Sequence, residues 1–207
     1  IDGLSDALVE TNSMYIGNDP SSTTDAANYN VAVGTTALDA ITTGDWNTAV
    51  GYDALTTNTQ GKNNTASGSY ALEKNISGIN NTASGNGALQ NNTEGNYNIA
   101  SGAAALYGNT EGDYNTASGY GALYENTSGN YNTASGASAL SKNTEGNNNT
   151  ALGIFAGDVI TTGSHNVIIG RGSDPSANNA SNQIVIGYNA TGQANNSVTL
   201  GNADVTA

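Results

Sequence analysis

Cysteine is absent, proline occurs twice, and lysine and arginine together number four in 207 residues. Without cysteine the chain has no disulfide framework, no thiolate metal site and no redox motif. With so few cations the formal net charge is −13. Such a balance repels phosphate backbones, so nucleic acid is not expected as a partner, and solubility is its simplest reading. Aromatic residues make up 6% and large apolar residues are scarce. No stretch approaches the ~18 apolar residues of a membrane span, so membrane insertion is not expected. The acidic opening Ile1-Asp2-Gly3 does not read as a secretory leader, and the chain reads as a piece of something longer.

Histidine is nearly absent too. The one histidine, His165, leaves no Cys-His pair, and any Ser-His-Asp triad would depend on it alone. It stands just before Asn166, where other repeats carry Tyr29, Trp46, Tyr97, Tyr114 or Tyr131. It therefore reads as a variant of a surface ladder position. Zinc ligand clusters, the calcium nonapeptide, the EF-hand loop and the phosphate-cradling Gly-Lys-Ser/Thr motif are all missing. The expectation is a protein that is not an enzyme and holds no cofactor.

What is present is glycine, asparagine and threonine in a strict order. Polar composition with little hydrophobicity often means disorder, but disordered chains have no reason to keep a period. Here glycine recurs every 17 residues, at Gly17, Gly34, Gly51, Gly68, Gly85, Gly102, Gly119, Gly136, Gly153, Gly170 and Gly187. A second series lies ten residues later, at Gly44, Gly61, Gly78, Gly95, Gly112, Gly129, Gly146 and Gly163. Asparagine precedes the first glycine by four, at Asn30, Asn47, Asn64, Asn81, Asn98, Asn115, Asn132, Asn149 and Asn166. An Ala-Leu pair follows it, ending at Leu38, Leu55, Leu72, Leu89, Leu106, Leu123 and Leu140.

Seventeen residues are too few for a helical-hairpin repeat of ~33 or more, so each repeat predicts one coil of a parallel β-solenoid. The β-prone triplets Val31-Ala32-Val33 and Val167-Ile168-Ile169 end at a glycine, which supplies the φ > 0 turn that bends the strand away. Scarce proline suits a backbone whose N–H groups form a ladder. Coils stacked ~4.8 Å apart let the Asn series form an amide ladder.

The coil interior looks thin. Between residues 60 and 150 most repeats offer two Ala and one Leu as buried candidates. Ordering a whole coil needs more burial than that, so an oligomer is expected, with the Leu series in an apolar seam between chains. Before the first glycine the outer repeats carry Val or Ile, whereas the middle ones read Asn-Thr-Ala-Ser-Gly, as at 64–68 and 132–136. That exchange suggests side chains pointing inward, with a greasy interior at the ends and a hydrogen-bonded one in the middle.

Three segments follow. Residues 1–14 are an N-terminal junction, where Leu4, Leu8 and Val9 suggest one or two helical turns or a fibre junction. Residues 15–187 are the 17-residue-repeat solenoid. Residues 188–207 hold a terminal repeat and C-terminal junction, since the interval from Gly187 to Gly201 shortens to 14.

Two surface features carry alternatives. Glu94, Glu111 and Glu145 share one repeat position, with Ser128 between the latter two. They form either a solvated face or a weak calcium site. Tyr97, Tyr114 and Tyr131 form one aromatic series, with Tyr107 and Tyr124 elsewhere on the coil. These rings either pair across strands or contact a glycan.

The phrases Asn196-Ser197-Val198-Thr199-Leu200-Gly201 and Asn166-Val167-Ile168-Ile169-Gly170 resemble the head repeats of trimeric autotransporter adhesins, which read Asn-Ser-Val-Ala-Ile-Gly. The 17-residue form, with its Ala-Leu and Asn-Thr-x-Gly segments, looks more like repeats of marine bacteriophage tail fibres; the opening Tyr15-Ile16-Gly17-Asn18-Asp19-Pro20 is similar. The likeness covers roughly residues 15–204. It implies a left-handed β-roll in a homotrimeric fibre, joined to other fibre proteins at both ends. It also implies an extracellular location, on a virion tail fibre or bacterial surface, and a host-surface glycan or receptor as partner. Two rivals remain. Thr and Ser on one face of stacked strands would suit an ice-binding solenoid, if they pointed outward and Ile99 did not interrupt them. A glycan-degrading solenoid would need paired carboxylates in a groove, and no repeat brings two together.

Overall fold

The computed structural model describes residues 7–10, 12–17 and 26–204. It is an all-β parallel solenoid of about 11 coils, without helix among the described residues. The strands are short: β1 Ala7–Glu10, β2 Ser13–Ile16, β3 Val31–Val33, β4 Thr48–Val50, β5 Thr65–Ser67, β6 Thr82–Ser84 and β7 Ile99–Ser101. They continue as β8 Thr116–Ser118, β9 Thr133–Ser135, β10 Thr150–Leu152, β11 Val167–Ile169, β12 Gln183–Ile186 and β13 Ser197–Leu200. One sheet runs through all 13 in sequence order. From β2 onward every pair is parallel, and like positions pair, as in Thr65↔Thr82 and Thr116↔Thr133. The last pair closes the 14-residue interval, with Gln183 opposite Ser197.

The N-terminal edge differs from the helical turn considered for its sequence. Ala7–Glu10 is a strand, antiparallel to β2; Leu4 lies outside the described residues. Tyr15 is wholly buried where later coils have alanine, paired with Ala32. A large ring thus fills the interior at that end.

The interior of each coil is enclosed by its own chain. In β5 the outer residues Thr65 and Ser67 are exposed and the central Ala66 is buried. The same parity holds from β3 to β10. Two expectations are therefore corrected. The Val, Ile, Thr and Ser flanking each strand centre point out, because side chains alternate along a strand and the central residue is the one turned to the enclosed interior. The Leu series is no seam between chains either: Leu106, like Leu38 to Leu140, is fully buried inside the solenoid.

Asparagine completes that interior. The Asn series before each strand is fully buried, and its side chains bond mainly to backbone. Asn98 accepts the N–H of Asn115 on Oδ1 at 2.9 Å and donates from Nδ2 to the carbonyl of Gly112 at 2.7 Å. Asn47, Asn64, Asn81, Asn115, Asn132 and Asn149 each receive and donate the corresponding pair. The side-chain amide ladder expected there is present in part, where Asn47, Asn132 and Asn166 donate to the preceding Oδ1 at 3.0–3.2 Å. A continuous one is built by a second series that sequence reading passed over: Asn58, Asn75, Asn92, Asn109, Asn126 and Asn143. Each Nδ2 of that series beyond Asn58 donates to the preceding Oδ1 at 2.7–2.8 Å. Ile41 and Ile160, both buried, occupy the same position at its two ends.

The first glycines have φ of 128–148° from Gly34 to Gly187, a region closed to L side chains. Space closes it a second time. A Cβ on Gly102 would lie 2.6 Å from the carbonyl oxygen of Gly119 in the next coil. Non-glycine residues also turn left-handed in every coil: Leu106 at φ 52°, Ala104 at 56° and Tyr97 at 56°. Each such residue costs ~1–2 kcal/mol, offset by the ladder bonds that the turn makes possible.

Candidate binding surface

Outward strand positions form a continuous strip along the whole stack. From β3 to β13 they hold Val, Thr, Ser, Ile and Leu, with no charged residue. Thr and Ser fill the middle, while Val31, Val33 and Val50 at one end and Leu152 to Leu200 at the other are branched and apolar. Val198 and Leu200 are 62% and 69% exposed. With eleven parallel strands ~4.8 Å apart, the strip is on the order of 50 Å long. A net charge of −13 is thus carried entirely elsewhere.

One border of the strip is aromatic. Tyr97, Tyr114 and Tyr131 each stand two residues before an outward strand position and are exposed. Their rings stack in parallel, with centroids 4.8 Å apart for Tyr97–Tyr114 and 5.0 Å for Tyr114–Tyr131. Tyr29 and Trp46 stack likewise at 5.7 Å. The coil rise sets this spacing, and a left-handed backbone aims each ring outward. Both faces of Tyr114 are taken by its neighbours, so that ring presents its edge and hydroxyl to solvent. Lost hydration, then the flanking Tyr97 and Tyr131, push the Tyr114 hydroxyl above its usual range.

Tyr107 and Tyr124 form a separate stack at 5.0 Å, beyond the glycine corner. Glu94, Glu111 and Glu145 are exposed on another corner. No group of three or more His, Cys, Asp or Glu is poised around a metal position among the described residues. His165 occupies the aromatic column position with φ 62° and is exposed. No described helix is long and apolar enough to cross a membrane.

No protein-family model matches the chain, and neither a curated protein nor a solved structure matches it.

Proposed function

We propose that the chain is a non-catalytic segment of an extracellular fibre, of the phage tail-fibre or bacterial surface-adhesin kind, in which three parallel copies dock through their strand strips. Such a fibre meets a host surface and presents binding positions for its glycans, with other fibre proteins above and below. The observation that carries the reading is the charge-free strip. An uncharged band this long is unusual on a strongly acidic chain exposed to water, and burying its branched ends removes apolar area from solvent. A second copy fits it because small hydroxyl positions admit close approach and the apolar ends match their own kind.

Ile99 favours parallel chains in register. It is the one branched apolar residue among the Thr positions of the middle coils, 48% exposed. In register it meets Ile99 of the other copies; reversed, it would face a threonine. Coils of left-handed sense, as the adhesin resemblance implies, would give the fibre its twist. The test is sedimentation of the unmodified chain beside Thr116→Lys, which adds a charge on the outward middle of the strip. The parent sediments at three times the chain mass and the variant as a folded monomer. A parent that stays a monomer at micromolar concentration overturns the reading.

A second reading draws on the same strip. Thr65, Thr82, Thr116 and Thr133 stand beside Ser67, Ser84, Ser118 and Ser135, all on outward positions. Rows ~4.8 Å apart along the stack and ~7 Å apart across the strand could order water as ice does. Thermal hysteresis in a monomeric sample would select this reading over the fibre.

A further inference from the structure

We propose that a hollow beside Tyr124 is a binding site for a single hexopyranose unit, as found at the end of a surface glycan. The proposal takes from the fibre reading only that the molecule meets a glycan-covered surface; the hollow itself stands on its own geometry. It has a volume of about 270 Å³ and lies beyond the Gly119 corner, off the strand strip. That is just below the range of drug-sized ligand pockets, about 300–1,000 Å³, and suits a ligand of one ring.

A break in the repeat makes the hollow. Tyr107 covers one face of Tyr124, with planes within 4°. One coil further on, the same position holds Ser141, so the second face of Tyr124 has no ring over it. The floor opens for a similar reason. Its position holds Tyr70 and Phe155 in other coils but Gly121 here. A Cβ on Gly121 would find only the Ser138 hydroxyl, at 3.8 Å. Tyr120, 68% exposed, forms a further wall.

The lining chemistry suits a sugar. The π face of Tyr124 carries negative quadrupole charge and attracts the axial C–H bonds on one side of a pyranose. Ser138 and Ser141 line the hollow with hydroxyls able both to donate and to accept, and Glu125 and Lys142 add one acceptor and one donor. None of these four side chains is held in a hydrogen bond or ion pair among the described residues. A shallow site for so small a ligand gives affinity on the order of millimolar.

Saturation-transfer NMR on the intact chain tests this with methyl β-D-glucopyranoside and methyl β-D-galactopyranoside. At least one receives saturation on its ring C–H protons. Gly121→Tyr fills the hollow and reduces the transfer at least fivefold, as does Tyr124→Ser. Tyr97→Ser, in the other column, leaves it unchanged. Gly121→Tyr decides the matter even if Tyr124→Ser loosens the coil, because Tyr70 adopts the same left-handed turn, φ 61° against 59°. No transfer to either sugar at tens of millimolar, equal transfer in Gly121→Tyr, or loss in Tyr97→Ser overturns the proposal. Sedimentation of the same samples reports on fibre assembly separately, so either idea can fail alone.

Discussion

The side-chain amide of Asn109 donates to Oδ1 of Asn92, one coil earlier, at 2.8 Å, and also to the carbonyl of Gly112 at 3.0 Å. Its own Oδ1 accepts from Asn126 at 2.8 Å. A fully buried polar column is thereby satisfied from coil to coil, and each member depends on both neighbours. Replacing Asn109 by Leu keeps the volume but strands the Oδ1 of Asn92 and a donor on Asn126, while the Gly112 carbonyl keeps its bond from Asn98. The expected loss is ~2–4 kcal/mol, read as a lower midpoint in urea unfolding. A midpoint equal to that of the parent would mean the column adds no stability.

The glycine corners predict opposite outcomes two residues apart. Gly102→Ala places a Cβ against the Gly119 carbonyl oxygen at 2.6 Å and should cost ~2–4 kcal/mol. Ala104 sits in the left-handed region at φ 56°, where neighbouring coils use Gly87 and Gly121. Ala104→Gly relieves that strain and should stabilise by up to ~1 kcal/mol, the remainder being lost to backbone entropy. Thermal melts of the two variants moving in the same direction would refute the assignment of these turns.

Asp174 makes stability depend on pH. Burial, then the charge of Asp158, raise its carboxyl from 3.8 to about 6, against the opposing Val159 N–H and Lys142. Its Oδ1 has no hydrogen-bond partner. A carboxyl that binds its proton more tightly folded than unfolded stabilises the fold below about 4, and that contribution is lost as pH rises through about 6. After allowance for solvent screening at a half-buried group, the decline is about 1–2 kcal/mol. Asp174→Asn should flatten the slope between pH 4 and 7 and melt higher at pH 7. An unchanged slope in denaturation at several pH values would assign the dependence to other carboxyls.

Leu106→Asp separates folding from assembly. Leu106 is fully buried within its own coil, so the variant places a carboxylate inside the solenoid. It should lose at least about 4 kcal/mol, and its circular dichroism should be lost at every dilution. Recovery of structure at high protein concentration would put Leu106 between chains after all.

Much of the architecture was legible in the residues. Glycine at every seventeenth position dictates coils of constant length, and constant length brings like residue over like, so period and register come from the chain alone. The same logic places Tyr97 over Tyr114 before any ring contact is seen. Direction was not legible. Within Thr65-Ala66-Ser67 the alternation allows either parity, and only the way the coil closes, with the strand centre (Ala66 here, Tyr15, Ile168 or Val185 at the ends) on its inner wall, turns Thr and Ser outward. The second Asn column was visible as a spacing, yet whether an asparagine bonds to backbone or to its own kind depends on how far its coil position lies from the next carbonyl. The hollow at Gly121 is likewise tertiary. A missing side chain makes a cavity only where the coils above and below leave that space unfilled, as Ser141 does over the face of Tyr124.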